Sequence, residues 1–414
     1  MTPKVKDIIE QIRHGNVPEG YKKVGADVIP TDWNKVVFSD LGIIASGLVD
    51  PKTPPYLHMQ HIGPDNIEKN TGRILETQSA AELGLISGKF YFDTESIVYS
   101  KIRPNLNKVC APSFEGICSA DCYSIKPTKE ADKAYLLNLM LGHSFYRRAV
   151  ACSMRTGMPK INQDDLNMIP LCCPTSISEQ QKIAEILTTQ DKVIELKEKR
   201  LAEKRRQKKY LMQQLLTGKK RLRGFDSEWT REKLGKLFAE RSETKCEHLE
   251  LLGITGTQGV IPRSQLDLKD NSSEDKSKYL HICVGDIGYN TMRMWQGVSA
   301  YSNYDGIVSP AYTILKPKGG INAKYFAYLF KMPEVVFLFY RYSQGLVDDT
   351  RNLKYENFKK ISVTYPKNIE EQTAIVSILE AADREIDLLR QDIEQEKQKK
   401  KALMQLLLTG IVRV

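Results

Sequence analysis

Two short motifs resemble parts of catalytic sites, and neither is complete. Thr53-Pro54-Pro55-Tyr56 resembles the (N/D)PPY motif of amino-methyltransferases, in which an Asn or Asp side chain accepts a hydrogen bond from the target amine. Thr53 cannot replace that side chain, and no strand followed by a glycine-rich cofactor loop accompanies the motif. Glu195-Leu196-Lys197 has the ExK spacing of nucleases, but it lies on a helical repeat where Glu and Lys are common. The sequence therefore predicts no catalytic activity.

Metal-ligand patterns are also missing from the sequence. None of the six histidines lies in an HExxH motif, and the eight cysteines include no CxxC pair. His58 and His61 would share one face of a helix, but the neighbouring prolines favour a loop. We therefore expect no metal and no other cofactor to be bound by this chain.

The residues with the clearest chemical use are basic. Lys and Arg total 61 against 51 Asp and Glu, a net charge of +10, which favours a polyanionic partner such as double-stranded DNA. Arginine can bridge O6 and N7 of guanine or bind a phosphate. We predict DNA contacts from basic and amide side chains in matched or loop positions: Lys101, Arg103, Asn105, Arg155, Lys160, Arg293, Arg341, Arg351, Asn352 and Lys354. For any one of them, the alternative is a solvated surface charge.

The chain contains an internal duplication, which determines how these residues are positioned. Residues 179–218 align without a gap on residues 371–410, and the matches include the block Leu-Met-Gln and the ending Leu-Leu-Thr-Gly. A weaker repeat at an offset of about 190 residues places Tyr99 on Tyr289 and Arg103 on Arg293. Trp33 likewise aligns with Trp229. The order is therefore domain, helix, domain, helix.

The two well-matched segments have the pattern of coiled-coil helices. Apolar residues of the second segment step alternately by four and three, as the sequence of Ile375, Leu379, Ala382, Ile386, Leu389 and Ile393 shows. Glu396 and Lys400 then give the seam a polar centre. Gly218 and Gly410 follow the last apolar residues, where a helix C-cap belongs.

The two helices are predicted to pack against each other. Residues 178–224 carry 14 basic and 6 acidic side chains, whereas residues 370–414 carry 7 and 9, so their charges are complementary. A full domain separates the helices along the chain, and a pseudo-twofold relation between the halves predicts an antiparallel pair. The alternative is two separate surface helices with solvated charges.

The remaining sequence predicts mixed globular domains. Ser96–Ile102, Ile117–Ile125, Ile282–Tyr289 and Ala311–Leu315 have the composition of strands, and Ala134–Val150 and Ala323–Phe330 that of helices. We predict an α+β protein in which two similar mixed α/β domains are separated by two long antiparallel coiled-coil helices. Residues 1–28 are predicted to be an N-terminal segment that completes the helical region. The first domain is predicted over residues 29–175 and the first long helix over residues 176–223. The second domain is predicted over residues 224–366 and the second long helix over residues 367–414.

In this arrangement the sequence resembles the specificity subunit of type I restriction-modification enzymes. The resemblance rests on segments at the strand-like part of the first domain and at the junctions between domains and helices. In the first half these are Ser96–Leu106, Pro174 at the end of the domain with Glu179–Ile183 at the start of the helix, Leu215–Leu222 at the end of the helix, and Gly224–Trp229 at the start of the second domain. The second copies are Pro366, Glu371-Gln372 and Leu403–Gly410. It covers essentially the whole chain and is weakest inside the globular domains.

The resemblance implies two target recognition domains that enter the major groove at the two halves of a bipartite, asymmetric DNA site. It implies that the helices set the spacer and hold two methyltransferase subunits, which bind S-adenosylmethionine and methylate adenine. Restriction subunits would join this core, and Mg and ATP would act on partner subunits. The chain itself would be a non-catalytic specificity subunit.

Two leucines at the helix ends are candidates for partner binding. Leu216 and Leu408 lie outside the two-helix seam and could face another protein. The competing account is packing against Ile8, Ile9 and Ile12 of the N-terminal segment.

A different function class also fits these observations. The chain would then be a non-catalytic protein-interaction scaffold with two end domains, its basic charge serving solubility. In either class we expect a cytoplasmic protein without membrane association, because no apolar stretch approaches the roughly 18–20 residues of a bilayer span and no secretory signal opens the sequence.

Overall fold

A computed structural model of the chain describes residues 3–153, 159–256, 258–266 and 275–414. Its α-helices within these ranges are α1 Pro3–Arg13, α2 Phe38–Leu41, α3 Lys133–Leu141, α4 His143–Cys152, α5 Gln163–Asn167, α6 Ile177–Leu215, α7 Leu234–Leu237, α8 Ala323–Leu329, α9 Pro333–Tyr342, α10 Tyr355–Phe358 and α11 Ile369–Leu407. Among the residues described, no helix is both long enough and apolar enough to span a bilayer.

The chain forms two compact units, one of residues 1–198 with 392–414 and one of residues 199–391. The division falls inside each of the two long helices, so each unit contains part of α6 and part of α11. Both units combine helices with sheets, which confirms the predicted α+β class.

The first unit contains two four-stranded sheets. One is antiparallel in the order β4-β11-β8-β9, and the other has the order β6-β5-β10-β7, in which β5 and β10 run parallel. The pairs β1–β2 and β3–β12 complete the unit. The strands are β1 Tyr21–Val24, β2 Asp27–Pro30, β3 Trp33–Val37, β4 Gly42–Ile44, β5 Gln60–Ile62, β6 Gln78–Ser79, β7 Phe90–Phe92, β8 Ile97–Ser100, β9 Val109–Cys110, β10 Gly116–Cys118, β11 Cys122–Pro127 and β12 Pro170–Pro174.

The second unit repeats most of this topology, but two separate strand pairs take the place of the second four-stranded sheet, and its described residues include no counterpart of the β1–β2 pair. Its four-stranded antiparallel sheet has the order β14-β21-β18-β19, and the pairs β13–β22, β15–β16 and β17–β20 accompany it. The strands are β13 Trp229–Lys233, β14 Phe238–Arg241, β15 Leu252–Thr255, β16 Gly259–Pro262, β17 Leu280–Ile282, β18 Ile287–Asn290, β19 Ser299–Tyr301, β20 Gly306–Val308, β21 Tyr312–Pro317 and β22 Ser362–Pro366.

The strand registers confirm the internal duplication. Trp33 lies opposite Pro174 in the first unit, and Trp229 lies opposite Pro366 in the second. These pairs join the first strand of each domain to the strand that leads into its long helix. Tyr99 and Tyr289, which the sequence repeat aligns, are both fully buried on equivalent strands.

Each unit buries the start of one long helix and the end of the other in its core. In the first unit Ile183 and Leu187 of α6 join a cluster that also contains Leu407 of α11. In the second unit Leu215 of α6 joins Ile375 and Leu379 of α11. Burying such a side chain contributes roughly 1.5–3 kcal/mol. Within each unit the two helices therefore run antiparallel, as predicted.

Ion pairs join the two helices inside each unit and confirm their charge complementarity. In the first unit Lys197 Nζ donates to Asp392 Oδ1 and Glu396 Oε1, both at 2.8 Å. Lys400 lies 2.6 Å from Asp191. In the second unit Lys204 lies 2.8 Å from Glu385 and Lys208 pairs with Asp383, and these contacts also follow an antiparallel order. The lysine of the ExK triplet is therefore part of a helix–helix contact.

The polar centre of the seam is hydrogen-bonded within the first unit. Gln190 is 6% exposed, and its Nε2 donates to Glu396 Oε2 at 2.7 Å. The Lys197 hydrogen bond, followed by the one from Gln190, lowers the pKa of Glu396 to about 2. The position that interrupts the apolar pattern therefore carries a matched set of polar partners.

A buried glutamine anchors the first turn of each long helix to its own domain. Gln180 is fully buried, its Nε2 donates to the carbonyl oxygens of Glu130 and Pro174, and its Oε1 accepts from the N–H of Asp132. In the second unit, the buried Gln372 likewise donates to the Pro366 carbonyl at 2.8 Å and accepts from the N–H of Asn322 at 2.7 Å.

An arginine–glutamate pair lies beside each of these glutamines. Arg413 donates to both carboxylate oxygens of Glu179, at 2.6 and 2.9 Å, in the first unit. Arg221 donates in the same way to Glu371, at 2.7 and 2.9 Å, in the second unit. Such two-point pairs fix orientation as well as adding energy. The end of one long helix is thus connected to the start of the other within each unit.

The two predicted C-cap glycines adopt the left-handed conformation that ends a helix. Gly218 and Gly410 both have φ of +71°. A Cβ at Gly410 would lie 2.5 Å from Pro30 Cγ, whereas one at Gly218 would lie 3.4 Å from the ring of Trp229. The Tyr21 hydroxyl donates to the Gly410 carbonyl at 3.0 Å, so the N-terminal segment contacts the end of α11.

Some predicted elements are interrupted in the structure. The strand prediction Ile117–Ile125 is wrong across its centre, because β10 ends at Cys118 and a turn precedes β11. The prediction Ile282–Tyr289 fails similarly, since Asp286 accepts from the N–H of Cys283 and ends β17. Helix Ala134–Val150 is divided at Gly142, whose backbone is extended.

We predict that Gln180→Leu lowers the free energy of unfolding by about 1–3 kcal/mol, because it leaves buried backbone groups of residues 130, 132 and 174 without partners. Urea denaturation of the full chain measures the change. Gln181→Leu is the matched control, because Gln181 is exposed on the next position and should change stability by less than about 0.5 kcal/mol. Equal losses in both variants would contradict the anchoring role.

We predict that Glu396 stabilises the protein in a pH-dependent way. Because the folded protein lowers the Glu396 pKa from 4.5 to about 2, its contribution is complete above pH 4.5 and is lost as the pH falls toward 2. The stability difference between the parent and Glu396→Gln should therefore shrink over that range in denaturant titrations. Glu394→Gln is an exposed control on the same helix. A pH-independent difference for Glu396→Gln would contradict the prediction.

Candidate nucleic-acid interface

Two chain segments bring several of the predicted basic residues together in the first unit. Strand β8 ends at Ser100, and Ile102 then forms an antiparallel bridge with Lys160. The N–H of Arg103 donates to the Pro159 carbonyl at 2.7 Å, and the N–H of Ile161 donates to the Lys101 carbonyl at 2.9 Å. We call residues 101–106 with 159–161 the first loop pair. It carries Lys101, Arg103, Asn105 and Lys160.

The first loop pair concentrates positive charge at the surface. Arg103, Asn105 and Lys160 are exposed, and Lys101 is half-buried with its ammonium 5.3 Å from the centre of the Tyr123 ring. Burial, and then the nearby charge of Lys160, lowers the pKa of Lys101. A bound anion would relieve this repulsion, which makes the loop pair a suitable phosphate or base contact.

Arg103 has an unusual backbone conformation. Its φ is +48° and its ψ is 57°, in the left-handed region that few non-glycine residues adopt. The hydrogen bond to Pro159 and the following 3₁₀ turn, Pro104–Leu106, hold it there. Strained residues of this kind cluster at functional sites. The conformation thus adds a second reason to place Arg103 in the site.

The second unit repeats part of this backbone arrangement with different side chains, although Arg293 has a φ of −126° and not the left-handed conformation of Arg103. The N–H of Leu353 donates to the Thr291 carbonyl at 2.8 Å, as Ile161 does to Lys101 in the first unit. Arg293 is exposed and precedes the 3₁₀ turn Met294–Gln296, as Arg103 precedes its own turn. We call residues 291–296 with 352–354 the second loop pair. Arg293 and Asn352 belong to it, and Thr291 occupies the position equivalent to Lys101.

The other predicted residues of the second unit differ in their accessibility. Lys354 and Arg341 are exposed, the latter in the last turn of α9. Asn352 is half-buried, and within the described ranges its Oδ1 has no hydrogen-bond partner. Arg351 is held internally, because its Nε donates to Asp348 at 2.8 Å and its Nη2 donates to the Tyr340 hydroxyl at 2.9 Å. The sequence did not reveal that pairing.

The sequence did not lead us to predict an aromatic group beside the second loop pair. The rings of Trp295 and Tyr340 are 6.2 Å apart, and Phe337 stacks with Tyr340 at 6.5 Å. Phe337 is 57% and Tyr340 37% exposed, and the Arg351 guanidinium lies 4.0 Å from the Tyr340 ring centre. The i, i+3 spacing of Phe337 and Tyr340 on α9 was the available signal.

Two predicted site residues, Leu216 and Leu408, do not contribute to these surfaces. Arg155 lies outside the described residues. The partner-binding prediction for Leu216 and Leu408 is wrong, because they are only 1% and 9% exposed and belong to the two domain cores. Leu408 packs close to Gly142 rather than presenting surface. Amphipathic periodicity could not separate packing against a domain from packing against another protein.

The histidine pair has no metal-binding geometry in the parts of the chain described. Burial lowers the pKa of His61 to about 4, with a smaller contribution from the charge of Lys89. Neither His58 nor His61 belongs to a group of three ligand side chains within these ranges. The Thr53–Tyr56 motif lies in a loop in which the Thr53 hydroxyl donates to the Asp50 carbonyl.

Comparison with known proteins places this geometry in a family. Residues 30–204 and 263–398 match the type I restriction modification DNA specificity domain. Over 181 residues the chain is 37% identical to the type I restriction enzyme EcoDI specificity subunit of Escherichia coli, and this match covers 44% of this chain and only 38% of that protein's length.

Solved structures show that the fold is shared over nearly the whole chain. A chain from the structural work on complex assembly and conformational transition of the type I R-M system has a TM-score of 0.61 at 16% identity, covering 93% of this chain and 99% of that one. The S subunit of the type I restriction-modification system from M. genitalium has a TM-score of 0.56 at 16% identity, covering 91% and 96%. With three quarters of its residues matched in two segments, the chain belongs to the family of type I restriction-modification DNA specificity proteins.

Proposed function

We propose that this chain is the DNA-reading subunit of a type I restriction-modification enzyme. Each unit would read one half of a bipartite site through its loop pair in the major groove. The chain would provide no catalytic group, and S-adenosylmethionine, Mg and ATP would act on partner subunits. Family membership and the position of the basic residues support this function over a pure protein-interaction scaffold.

One observation carries the proposal: in both units an exposed arginine stands between an equivalent strand and a 3₁₀ turn, while its neighbours differ. Arg103 and Arg293 each follow an equivalent strand and each begin a 3₁₀ turn. Lys101 and Lys160 flank the first arginine, whereas Thr291 and Asn352 occupy the matching positions in the second unit. Because cationic and amide or hydroxyl side chains favour different base edges, the two half-sites would differ in sequence.

The long helices would set the distance between the half-sites. Each is a single 39-residue helix without an internal break, and buried hydrogen bonds anchor its first turn. A fixed helix length would fix the number of base pairs between the two half-sites. Both half-sites must also lie on a compatible face of the duplex. The internal duplication would allow an asymmetric site, which a homodimer of identical subunits could not favour.

The same helices offer a repeated candidate surface for partners. Leu196 on α6 is 61% exposed, and Leu388, its counterpart in the repeat, is 65% exposed on α11. A singly exposed leucine is common on protein surfaces, and the equivalence of these two positions in the repeat is what favours a shared partner. Because the two positions are related by the duplication, we propose that two copies of one methyltransferase subunit bind there. Restriction subunits would join this complex.

We predict that Arg103→Ala weakens discrimination at one half-site by about 1–3 kcal/mol and that Arg293→Ala does so at the other half-site. Fluorescence anisotropy with duplexes enriched from a random pool, and with each half-site altered in turn, measures this at two salt concentrations. The assay should include the methyltransferase subunits.

Lys129→Ala is the charge-matched control for the arginine variants, because the Lys129 side chain is 91% exposed and lies outside the loop pairs. It should change affinity little and discrimination not at all. An equal loss on every duplex would assign the arginines to phosphates. Unchanged binding in both arginine variants would rule the loop pairs out as the interface.

We predict that Leu196→Ser with Leu388→Ser lowers the affinity for the methyltransferase subunit at least tenfold while the chain stays folded, because both variants remove exposed apolar contacts. Analytical ultracentrifugation of the mixed proteins measures the stoichiometry. The single variants should each leave one copy bound. Leu75→Ser, at a position 48% exposed in the first unit, is the control. Full assembly in the double variant would contradict this surface.

A further inference from the structure

The second unit contains a cluster of histidine, cysteine and carboxylate side chains that DNA reading does not use. His281 lies on β17, Cys283 follows that strand, and Asp305 precedes the paired strand β20. His281 Nε2 is 3.0 Å from Asp305 Oδ1 and 3.6 Å from Cys283 Sγ. The three ligand atoms all lie within 4.8 Å of one another. These are the residue types that bind zinc and related metals.

We propose that His281, Cys283 and Asp305 form a zinc-binding site. Imidazole nitrogen, thiolate sulfur and carboxylate oxygen would be the three protein ligands, with the fourth position open to water. The site is a feature of this chain's second unit and does not depend on how DNA is read.

The three ligand atoms are close enough to share one tetrahedral ion after a side-chain rotation. Zinc bonds of about 2.3 Å to sulfur and about 2.0–2.1 Å to nitrogen place those two ligand atoms about 3.6 Å apart at a tetrahedral angle. Cys283 Sγ lies 3.6 Å from His281 Nε2 but also 4.0 Å from Nδ1, so the thiol faces the imidazole ring, and rotation of the Cys283 side chain would bring Sγ to the Nε2 side. The His281 to Asp305 separation of 3.0 Å is a few tenths of an ångström shorter than the tetrahedral value, and a small rotation of the exposed Asp305 carboxylate corrects it.

The second nitrogen of the imidazole is also suitably placed. His281 Nδ1 is 3.0 Å from Glu243 Oε2, so the ring can donate its Nδ1–H to that carboxylate while Nε2 binds the metal. Metal-binding histidines usually donate their other ring N–H to such an acceptor, which fixes the tautomer and the ring orientation. The His281 side chain is only 15% exposed, so its orientation is further restricted by packing.

The equivalent position of the first unit lacks this chemistry. Tyr91 on β7 lies opposite Ile117, as His281 lies opposite Ile307 in the second unit. The Tyr91 hydroxyl donates to Glu115 at 3.1 Å, and Glu115 corresponds to Asp305 in the repeat. The duplicated scaffold thus holds a simple hydrogen bond in one copy and a set of metal ligands in the other.

A metal here would stabilise a weak part of the second unit. The β17–β20 sheet has two strands of three residues each, which alone is a marginal structure. A bound ion would connect His281 and Cys283, at the end of β17, to Asp305, just before β20. Glu243, which follows β14, contacts the same histidine. Because zinc would bind the folded arrangement, it would raise the melting temperature by an amount that grows with the logarithm of the free zinc concentration above the dissociation constant.

The test is zinc binding by the full-length chain, purified with chelator and then titrated with zinc or cobalt. We expect one zinc per chain by elemental analysis after gel filtration, a rise in melting temperature with zinc, and a thiolate-to-metal charge-transfer absorption with cobalt. Cys283→Ser and His281→Gln should each weaken binding at least tenfold, because loss of a direct ligand costs at least as much as loss of a supporting residue. Cys283→Ser should also remove the charge-transfer band, because that band requires the thiolate.

Two cysteine variants control for adventitious thiol binding. Cys246→Ser, at a half-buried cysteine beside Glu243, should retain the metal, and so should Cys172→Ser in the first unit. Circular dichroism of every variant without metal checks that the fold is kept. The absence of stoichiometric binding by the parent chain would overturn the proposal. Binding that persists in folded Cys283→Ser, or that Cys246→Ser abolishes, would overturn it equally.

Discussion

The packing of helices and sheets in each unit depends on how the first turn of each long helix is fixed to its domain. Gln180 and Gln372 are fully buried and satisfy backbone groups of the adjoining domain, so the first turn of each helix is held against its own unit. Two-point pairs from Arg413 to Glu179 and from Arg221 to Glu371 then join the end of the other helix to the same place. Losing a partner inside such a site is costly, because polar groups stay buried without hydrogen bonds.

The duplication separates what must be constant from what can vary. The starts and ends of the long helices are kept in both copies, and so are the strand pairs that contain Trp33 and Trp229, because these parts build the core and the anchoring site. The loop pairs keep one backbone hydrogen bond, a 3₁₀ turn and one arginine but change the side chains around that arginine. If each unit reads one half of a DNA site, as proposed, side chains of one loop pair could change the sequence read there without altering the other unit or the helices.

Periodic features were predictable from the sequence, and features set by tertiary contacts were not. The long helices, their glycine ends and the duplication follow from spacing and self-comparison, because these patterns extend over about 40 residues. The burial of Leu216 and Leu408, the internal pairing of Arg351 and the turns that divide two predicted strands depend on partners distant in the chain. The equivalence of Arg103 and Arg293 was predicted from the repeat, whereas the i, i+3 spacing of Phe337 and Tyr340 on α9 did not by itself show that these two rings are exposed.

The most direct test of the central claim is to map methylated adenines in the DNA of cells with and without this chain. A protein whose two diverged units each read half a site predicts one bipartite motif with two unlike halves and a constant spacer, methylated only when the chain is present. A single uninterrupted motif, a palindromic pair of halves, or a methylation pattern that does not change when the chain is removed would contradict it.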